Sequence, residues 1–529
     1  MKAPGYGMVL GVQSARTLPA LHEPTADETH ARIGVTLCGG AVTSFRWAAF
    51  VGLLSLGWAG PDAEEVVMEE FDVIVVGAGP AGEVIAGRCA DGGLRVALVE
   101  RELVGGECSY WGCVPSKTLI RPGDVIAATR RVPGASETVT GPIDVDAALA
   151  QRDYMTSNWH DEGQLPWLNE HKITLVRGGG RLDGERTVVV EREGEETRRL
   201  AAAQAVVLAT GTSAALPPID GLAEARPWTN REITAAKELP RRLVVLGGGA
   251  VGVEMAQGFR RLGCEEVTVL EGLSRLLGRE ESFASDEVRE ALEAEDITVV
   301  TGAVVQGVRR DGTDGPVMVQ AAGGTYVGDE LLVAAGRHPA TAELGLDTIG
   351  LTPGKPVTVD DQLRATGVEG EWLYAVGDCN GRALLTHMGK YQARIAADVI
   401  LGKEIVDKAS SDVVPRVTFT DPQVCAVGLT EDQARERGID VRAVTYGTGD
   451  VPGAYVQGNG ISGTSKLVID EARGVIVGAT FTGPGVQELL HSATIAIAGA
   501  VPLEMLRHAV PSFPTVSEVW LHLLEEYGL

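Results

Sequence analysis

Twice along this chain an apolar strand runs into a glycine turn, then a helix, then a second strand closed by a carboxylate. The first copy has a strand over Phe71–Gly77 and the turn Gly77-Ala78-Gly79-Pro80-Ala81-Gly82. A helix follows to Asp91, then a strand over Arg95–Val99 closed by Glu100. The second has a strand over Arg242–Leu246 and the turn Gly247-Gly248-Gly249-Ala250-Val251-Gly252. Its helix reaches Leu262, and its strand Glu266–Leu270 is closed by Glu271. Each is a dinucleotide-binding unit of roughly 30 residues. The first glycine makes the tight turn, the second lets a pyrophosphate approach the backbone, and the third lets helix and strand pack closely. Phosphate oxygens meet free N–H groups at the helix N-terminus, and the closing acid accepts from a ribose hydroxyl. One such motif arises by chance in a chain with 68 glycines; two, each in its strand–helix context, do not.

Between the repeats lies Gly105-Gly106-Glu107-Cys108-Ser109-Tyr110-Trp111-Gly112-Cys113-Val114-Pro115-Ser116-Lys117. Its cysteines propose a dithiol/disulfide couple that opens and closes during turnover. On an ideal helix, residues five apart have Cα atoms about 8.6 Å apart, whereas a bridge needs less than about 7 Å. Gly112 and Pro115 supply the break that bridging requires. A helix beginning near Pro115 aims its positive end at Cys113 and favours the thiolate. The chain has seven cysteines, and only this pair is closely spaced. That pattern excludes a secreted disulfide scaffold and suits a reducing, cytoplasmic compartment. Cys89, Cys264, Cys379 and Cys425 read as small buried hydrophobes.

At 529 residues the chain is too long for one core, and about three or four domains are expected. A net charge of −26 argues against nucleic acid and anionic membrane surfaces as partners. Residues 1–67 read as a leader outside the fold. Their apolar run, Trp47 to Gly60, has fourteen residues, too few for the roughly 20 of a membrane span. Met68 reads as the start of the functional chain, three residues before the first strand. Segments 172–215 and 296–335, with Thr187–Val190 and Val317–Gln320, read as β-meander pieces. From about Lys408 a separate α+β unit is expected, with strands near Val413–Phe419 and Arg442–Tyr446 and helices near Gly485–Gly499 and Ser517–Tyr527.

With three further motifs (Ala209-Thr210-Gly211, Ala335-Gly336-Arg337-His338-Pro339 and Ala375-Val376-Gly377-Asp378), residues 70–529 resemble the flavin-dependent pyridine nucleotide–disulfide oxidoreductases, class I. That group includes dihydrolipoyl dehydrogenase, glutathione reductase and mercuric reductase. The resemblance implies an α/β fold with two Rossmann-like dinucleotide-binding domains and an α+β dimerisation domain. The implied boundaries are 68–212 and 337–407 for FAD, 213–336 for NAD(P), and 408–529 for the interface of a homodimer. It implies FAD on the first repeat, with Gly77, Gly79, Pro80, Ala81, Gly82 and Glu100, and Asp378 on the flavin ribitol; Ala209, Thr210, Gly211, Gly336, Arg337 and Gly377 are further cofactor-binding residues. The nicotinamide cofactor falls to Gly247, Gly249, Gly252 and Glu271. Cys113 faces the flavin, Cys108 meets the acceptor, and Lys117 pairs with Glu254 beside the flavin ring. The charge of Glu271 favours NAD(H), while Arg275 and Arg279 keep NADP(H) in play.

The chain departs from the family at Val510-Pro511-Ser512-Phe513-Pro514-Thr515-Val516-Ser517-Glu518. Phe513 stands where the family's acid/base His belongs, and Glu518, its orienting acid, is kept. General acid–base help is typically worth about 10²–10⁴-fold, and a phenyl ring supplies none. His508 and His387 read as surface or structural residues. The absence of cysteine after Cys425 argues against mercury as substrate. The leading expectation is an NAD(P)H- and FAD-dependent oxidoreductase acting on a small-molecule disulfide, in the manner of dihydrolipoyl dehydrogenase. The alternative is a reductase of quinones or metal ions, and a redox-controlled binding protein is the weakest.

Overall fold

The computed structural model describes residues 68–529. The leader expected over 1–67, with its apolar run and Cys38, lies outside the described residues. Strand β1 (Met68–Val76) leads into helix α1 (Pro80–Asp91) and strand β2 (Val96–Glu100). Met68 belongs to β1 itself, paired with Arg199, so the strand starts three residues earlier than its apolar run suggests. Two helices follow, α2 (Gly106–Tyr110) and α3 (Cys113–Arg130), and after them β3 (Thr174–Arg177), β4 (Gly179–Leu182), β5 (Thr187–Glu191) and β6 (Arg198–Leu208). The sheet order is β3-β2-β1-β6-β5-β4, and the short strand Leu373–Ala375 also pairs with β6. Val73, Ile74, Val75, Ala97 and Leu98 are wholly buried. Such runs suit a parallel sheet covered on both faces.

The second repeat builds a four-stranded parallel sheet ordered Ile297–Thr301, Glu266–Glu271, Arg242–Leu246, Glu330–Val333. A five-stranded antiparallel sheet, Arg416–Thr418, Gln423–Gly428, Val475–Gly483, Thr464–Asp470 and Val441–Gly447, forms the C-terminal part. Helices Leu490–Ala498 and Val519–Tyr527 share its core. The α/β class, with two Rossmann-like units and an α+β C-terminal unit, is borne out.

The meander expectation needs correction. Strands β4 and β5 and the trio Val305–Arg310, Val317–Ala321 and Gly324–Gly328 pair antiparallel, β5 against β6, while β6 itself also runs parallel to β1. Strands β3, Ile297–Thr301 and Glu330–Val333 instead join the parallel sheets. A short run rich in Val, Leu and Thr has the same pattern in either setting, because only tertiary pairing separates them.

Candidate functional site

The two glycine turns share one geometry. Gly77 and Gly247 have φ of +102° and +112°, a region open to glycine at little cost. A Cβ on Gly82 or Gly252 would stand 1.9 Å from the carbonyl oxygen of Gly77 or Gly247. Glu100 accepts from the Ala78 amide at 2.7 Å and from the Glu102 amide at 2.7 Å. Glu271 does the same with Gly248 at 2.5 Å and Leu273 at 2.7 Å. Each acid therefore closes its own turn, one oxygen on the turn amide and the other on the amide two residues beyond the acid. A Cβ on Gly79 or Gly249 meets nothing within 4 Å. Both residues cap helices that have no side-chain cap, so first-turn amides open onto clear space. Both turns fit a dinucleotide pyrophosphate.

Ala209, Thr210 and Gly211 follow β6, and the Ala209 amide donates to Val76 O at 2.8 Å, beside the first turn. Gly211, Gly336 and Gly377 have φ of +69°, +127° and +78°. Thr212 donates to Asp378 Oδ2 at 2.7 Å and accepts from Arg337 Nε at 2.6 Å. Burial holds the Asp378 carboxyl above the usual carboxylate range, against the pull of Thr212 and Arg337. Arg337 reaches on to Asn230 Oδ1 at 3.2 Å and Glu107 Oε2 at 3.3 Å.

The cysteine run is two helices with a break at Trp111 and Gly112. Helix α3 begins at Cys113, two residues before the expected Pro115, because Pro tolerates the first turn, where its missing N–H leaves no bond unmade. Cys108 and Cys113 are free thiols. The neighbouring Cys108 thiol is the largest cause lowering Cys113, which is pushed down to about 6; Thr386 and the Lys117 charge add to it, against burial and Glu254. The same neighbour relation, with burial, pushes Cys108 far up. Thr386 Oγ1 lies 3.4 Å from Cys113 Sγ. One turn along α3, Lys117 Nζ meets Glu254 Oε2 at 2.7 Å. Glu254 is 4% exposed and its other oxygen accepts from the Phe419 amide at 2.9 Å. Lys117 also sits over the Phe419 ring at 4.8 Å.

Glu518 is not brought to this cluster. It ends the turn Val516–Glu518 in the C-terminal part, and its Oε2 is buried without a hydrogen-bond partner. Phe513 is 73% exposed. His387 bonds Pro415 O at 2.9 Å and His508 is exposed. Arg275 turns back onto the carbonyls of Leu277 and Gly278. Burial raises the thiols of Cys89, Cys264, Cys379 and Cys425, as inert cysteines require. Sequence reasoning missed Thr386, Phe419, Glu107, Asn230 and Arg231. Of these, only the start of the Asn230–Ala235 helix carried a signal, the capping box Thr229-x-x-Glu232.

Among the described residues, no helix is long and apolar enough to cross a membrane. A family model described as pyridine nucleotide-disulphide oxidoreductase matches residues 71–396, and that family's dimerisation domain matches 414–524. A mercuric reductase of Lysinibacillus sphaericus is 31% identical over 455 residues, covering 85% of this chain and 81% of its own. A dihydrolipoyl dehydrogenase of Mycobacterium tuberculosis is 33% identical over 468 residues, covering 85% and 97%. Among solved structures, the Cu(II) complex of the HOCl-induced flavoprotein disulfide reductase RclA from Escherichia coli has a TM-score of 0.76 at 27% identity. It covers 87% of this chain and 99% of that one. LpdA from Mycobacterium tuberculosis shares the fold, with a TM-score of 0.76 at 23% identity, covering 87% and 100%.

Proposed function

This chain belongs to the pyridine nucleotide-disulphide oxidoreductase family, and on that premise we propose that it passes electrons to a small-molecule disulfide through Cys108 and Cys113. The family's members are FAD-dependent oxidoreductases that use NAD(P)H. When bound, FAD supplies the two-electron relay between the nicotinamide and the cysteine pair. We assign FAD to Gly77, Gly79, Pro80, Ala81, Gly82 and Glu100, with Ala209, Thr210, Gly211, Gly336, Arg337, Gly377 and Asp378 around its middle. We assign the nicotinamide cofactor to Gly247, Gly249, Gly252 and Glu271, and the domain boundaries to those implied by the sequence. NAD(H) is the favoured form, because Glu271 is a fixed negative charge and Arg275 is tied to its own loop. A homodimer in the cytoplasm fits the dimerisation-domain match and the cysteine usage.

The observation that carries this reading is the placing of Cys113 at the start of helix α3, 3.4 Å from Thr386 Oγ1 and one turn before the Lys117–Glu254 pair, with Cys108 a second free thiol five residues earlier. In that setting the Cys113 thiol is drawn down and the Cys108 thiol is pushed up, so Cys108 is the one that carries the proton. Transfer of that proton to Cys113 turns Cys108 into the nucleophile that meets the acceptor. Lys117, anchored by Glu254, keeps a cation beside Cys113 throughout. The test is anaerobic NADH titration followed at the long-wavelength thiolate-to-flavin absorbance, with turnover on a panel of disulfides. Unchanged disulfide turnover in Cys108→Ser sinks the reading.

A second reading rests on Phe513. An exposed phenyl ring where the family keeps its proton carrier favours acceptors that take electrons without one, such as quinones or metal ions. The mercuric reductase relatives fit that class, and RclA, a flavoprotein disulfide reductase, forms a complex with Cu(II). Turnover on quinones or Hg(II) that far exceeds every disulfide, and persists in Cys108→Ser, would establish it over the first.

A further inference from the structure

Helix α2, which carries Cys108, cannot hold itself in place. It has five residues, below the roughly 12–15 at which an isolated helix becomes even marginal. No side chain caps its start, where Gly105 and Gly106 have φ of +114° and +58°. Tyr110 at its end is tied to Val104 and Trp159, and Glu107, the residue beside Cys108, is anchored from more than a hundred positions away. Asn230 Nδ2 donates to Glu107 Oε2 at 2.7 Å and to Trp111 O at 2.9 Å. A single amide group thus spans Cys108, holding the residue before it and a residue three beyond. Arg231 Nε donates to Glu107 Oε1 at 2.5 Å, and its guanidinium lies 4.1 Å from the Trp111 ring centroid. Arg337 adds a third donor to Glu107 at 3.3 Å. The clamp is itself stiff: Asn230 opens a helix whose Thr229–Glu232 capping box is complete.

We propose that Glu107 and Asn230 are positioning residues that hold Cys108 against Cys113, and so set the effective concentration of one sulfur at the other. Asn230 lies in the segment assigned to the nicotinamide cofactor, so that segment also steadies the acceptor-side cysteine. The inference rests on the disulfide reading above. In that relay the Cys108 sulfur attacks the acceptor disulfide, forming a mixed disulfide and releasing one thiol. The Cys113 thiolate then attacks the Cys108 sulfur, which forms the Cys108–Cys113 bond and releases the second thiol. The dithiol's two electrons leave with the two products; the first leaving thiolate takes the proton that Cys108 had passed to Cys113, and the second takes a proton from water. The second step is a ring closure, and its rate and equilibrium both scale with how well the sulfurs are held together.

The test uses the holoenzyme equilibrated in graded glutathione buffers, with the Cys108–Cys113 state read by thiol trapping. Wild type is compared with Glu107→Gln and Asn230→Ala, and the melting temperature is recorded beside each. Both variants are expected to form the disulfide about tenfold less favourably, a potential about 30 mV higher. Glu107→Gln is close to isosteric, so it keeps α2 packed even if Asn230→Ala loosens the fold. Constants within twofold of wild type for Glu107→Gln, or a disulfide that becomes more favourable, overturn the proposal. Failure of the disulfide reading looks different: NADH then fails to open the wild-type pair, while its glutathione equilibrium is still measurable.

Discussion

Replacing Lys117 with Gln removes the cation that pairs with Glu254 and draws the Cys113 thiol down. Its ammonium lies 2.7 Å from Glu254 Oε2, and the side chains are 35% and 4% exposed respectively. Breaking a buried pair costs about 3–5 kcal/mol. Because Lys117 is a third exposed, water screens part of that interaction, and the expected loss is about 2–3 kcal/mol. The effect on Cys113 is separate and has a definite sign. Lys117 draws the thiol down and Glu254 pushes it up. Without the lysine both changes act upward. Residues four apart on a helix stand about 5–6 Å apart. At an effective dielectric constant of about 20, a unit charge there is worth roughly 3 kcal/mol, or about two pH units before solvent screening. A rise of about one to two units is expected, from a starting point of about 6. The thiolate fraction at pH 7 then falls from about nine-tenths to between about one-tenth and one-half. The assay is the pH dependence of the thiolate-to-flavin absorbance in NADH-reduced enzyme, run beside a urea melt. In wild type the absorbance is expected to fall as pH drops through about 6; in Lys117→Gln the same loss is expected at higher pH. An unmoved inflection in a destabilised protein would refute the electrostatic role and leave Lys117 as a strut.

Cys108→Ala should also raise the Cys113 inflection, because the Cys108 thiol is its largest lowering influence; a fall in the inflection would contradict that role for Cys108. Gly79→Ala should leave melting within about 0.5 kcal/mol of wild type, since its Cβ meets nothing, yet lose FAD as read by absorbance. Gly82→Ala should instead cost about 1–3 kcal/mol, because its Cβ collides with the Gly77 carbonyl. Glu271→Ala should lower kcat/KM for NADH by about tenfold or more, as expected for a hydrogen bond to a charged group, and affect NADPH less. An equal loss with both nucleotides would mean that Glu271 only holds the turn through the Gly248 and Leu273 amides. Phe513→His should raise disulfide turnover by about 10²-fold or more if a proton carrier is what the chain lacks, and leave quinone turnover unchanged.

What the sequence made legible is what short segments decide. The glycine turns are local: Gly77 and Gly82 stand five residues apart, and the steric demand between them is written in those residues. The Lys117–Glu254 pair spans 137 positions, and only the family resemblance pointed to it, since nothing local in either segment names the other as its partner. Glu107 had no such handle. It sits in plain view beside Cys108, yet its partners Asn230, Arg231 and Arg337 are 123, 124 and 230 positions away, and none belongs to a periodic pattern aimed at it. Thr386 is hidden for the same reason, 273 positions from Cys113 on a helix whose sequence points only to packing. The parallel strands misjudged as meander follow the same logic, since partner choice is tertiary information. The one departure that sequence did expose, Phe513, now has a structural counterpart. Glu518 keeps a buried oxygen without a donor, and leaving such a group unpaired costs about 1–3 kcal/mol. A carboxylate in that state either receives a donor from a second copy of the chain or is a retained acid whose histidine is gone. The two cases separate on measurement: Glu518→Gln should weaken dimerisation in the first, and leave the dimer intact or more stable in the second.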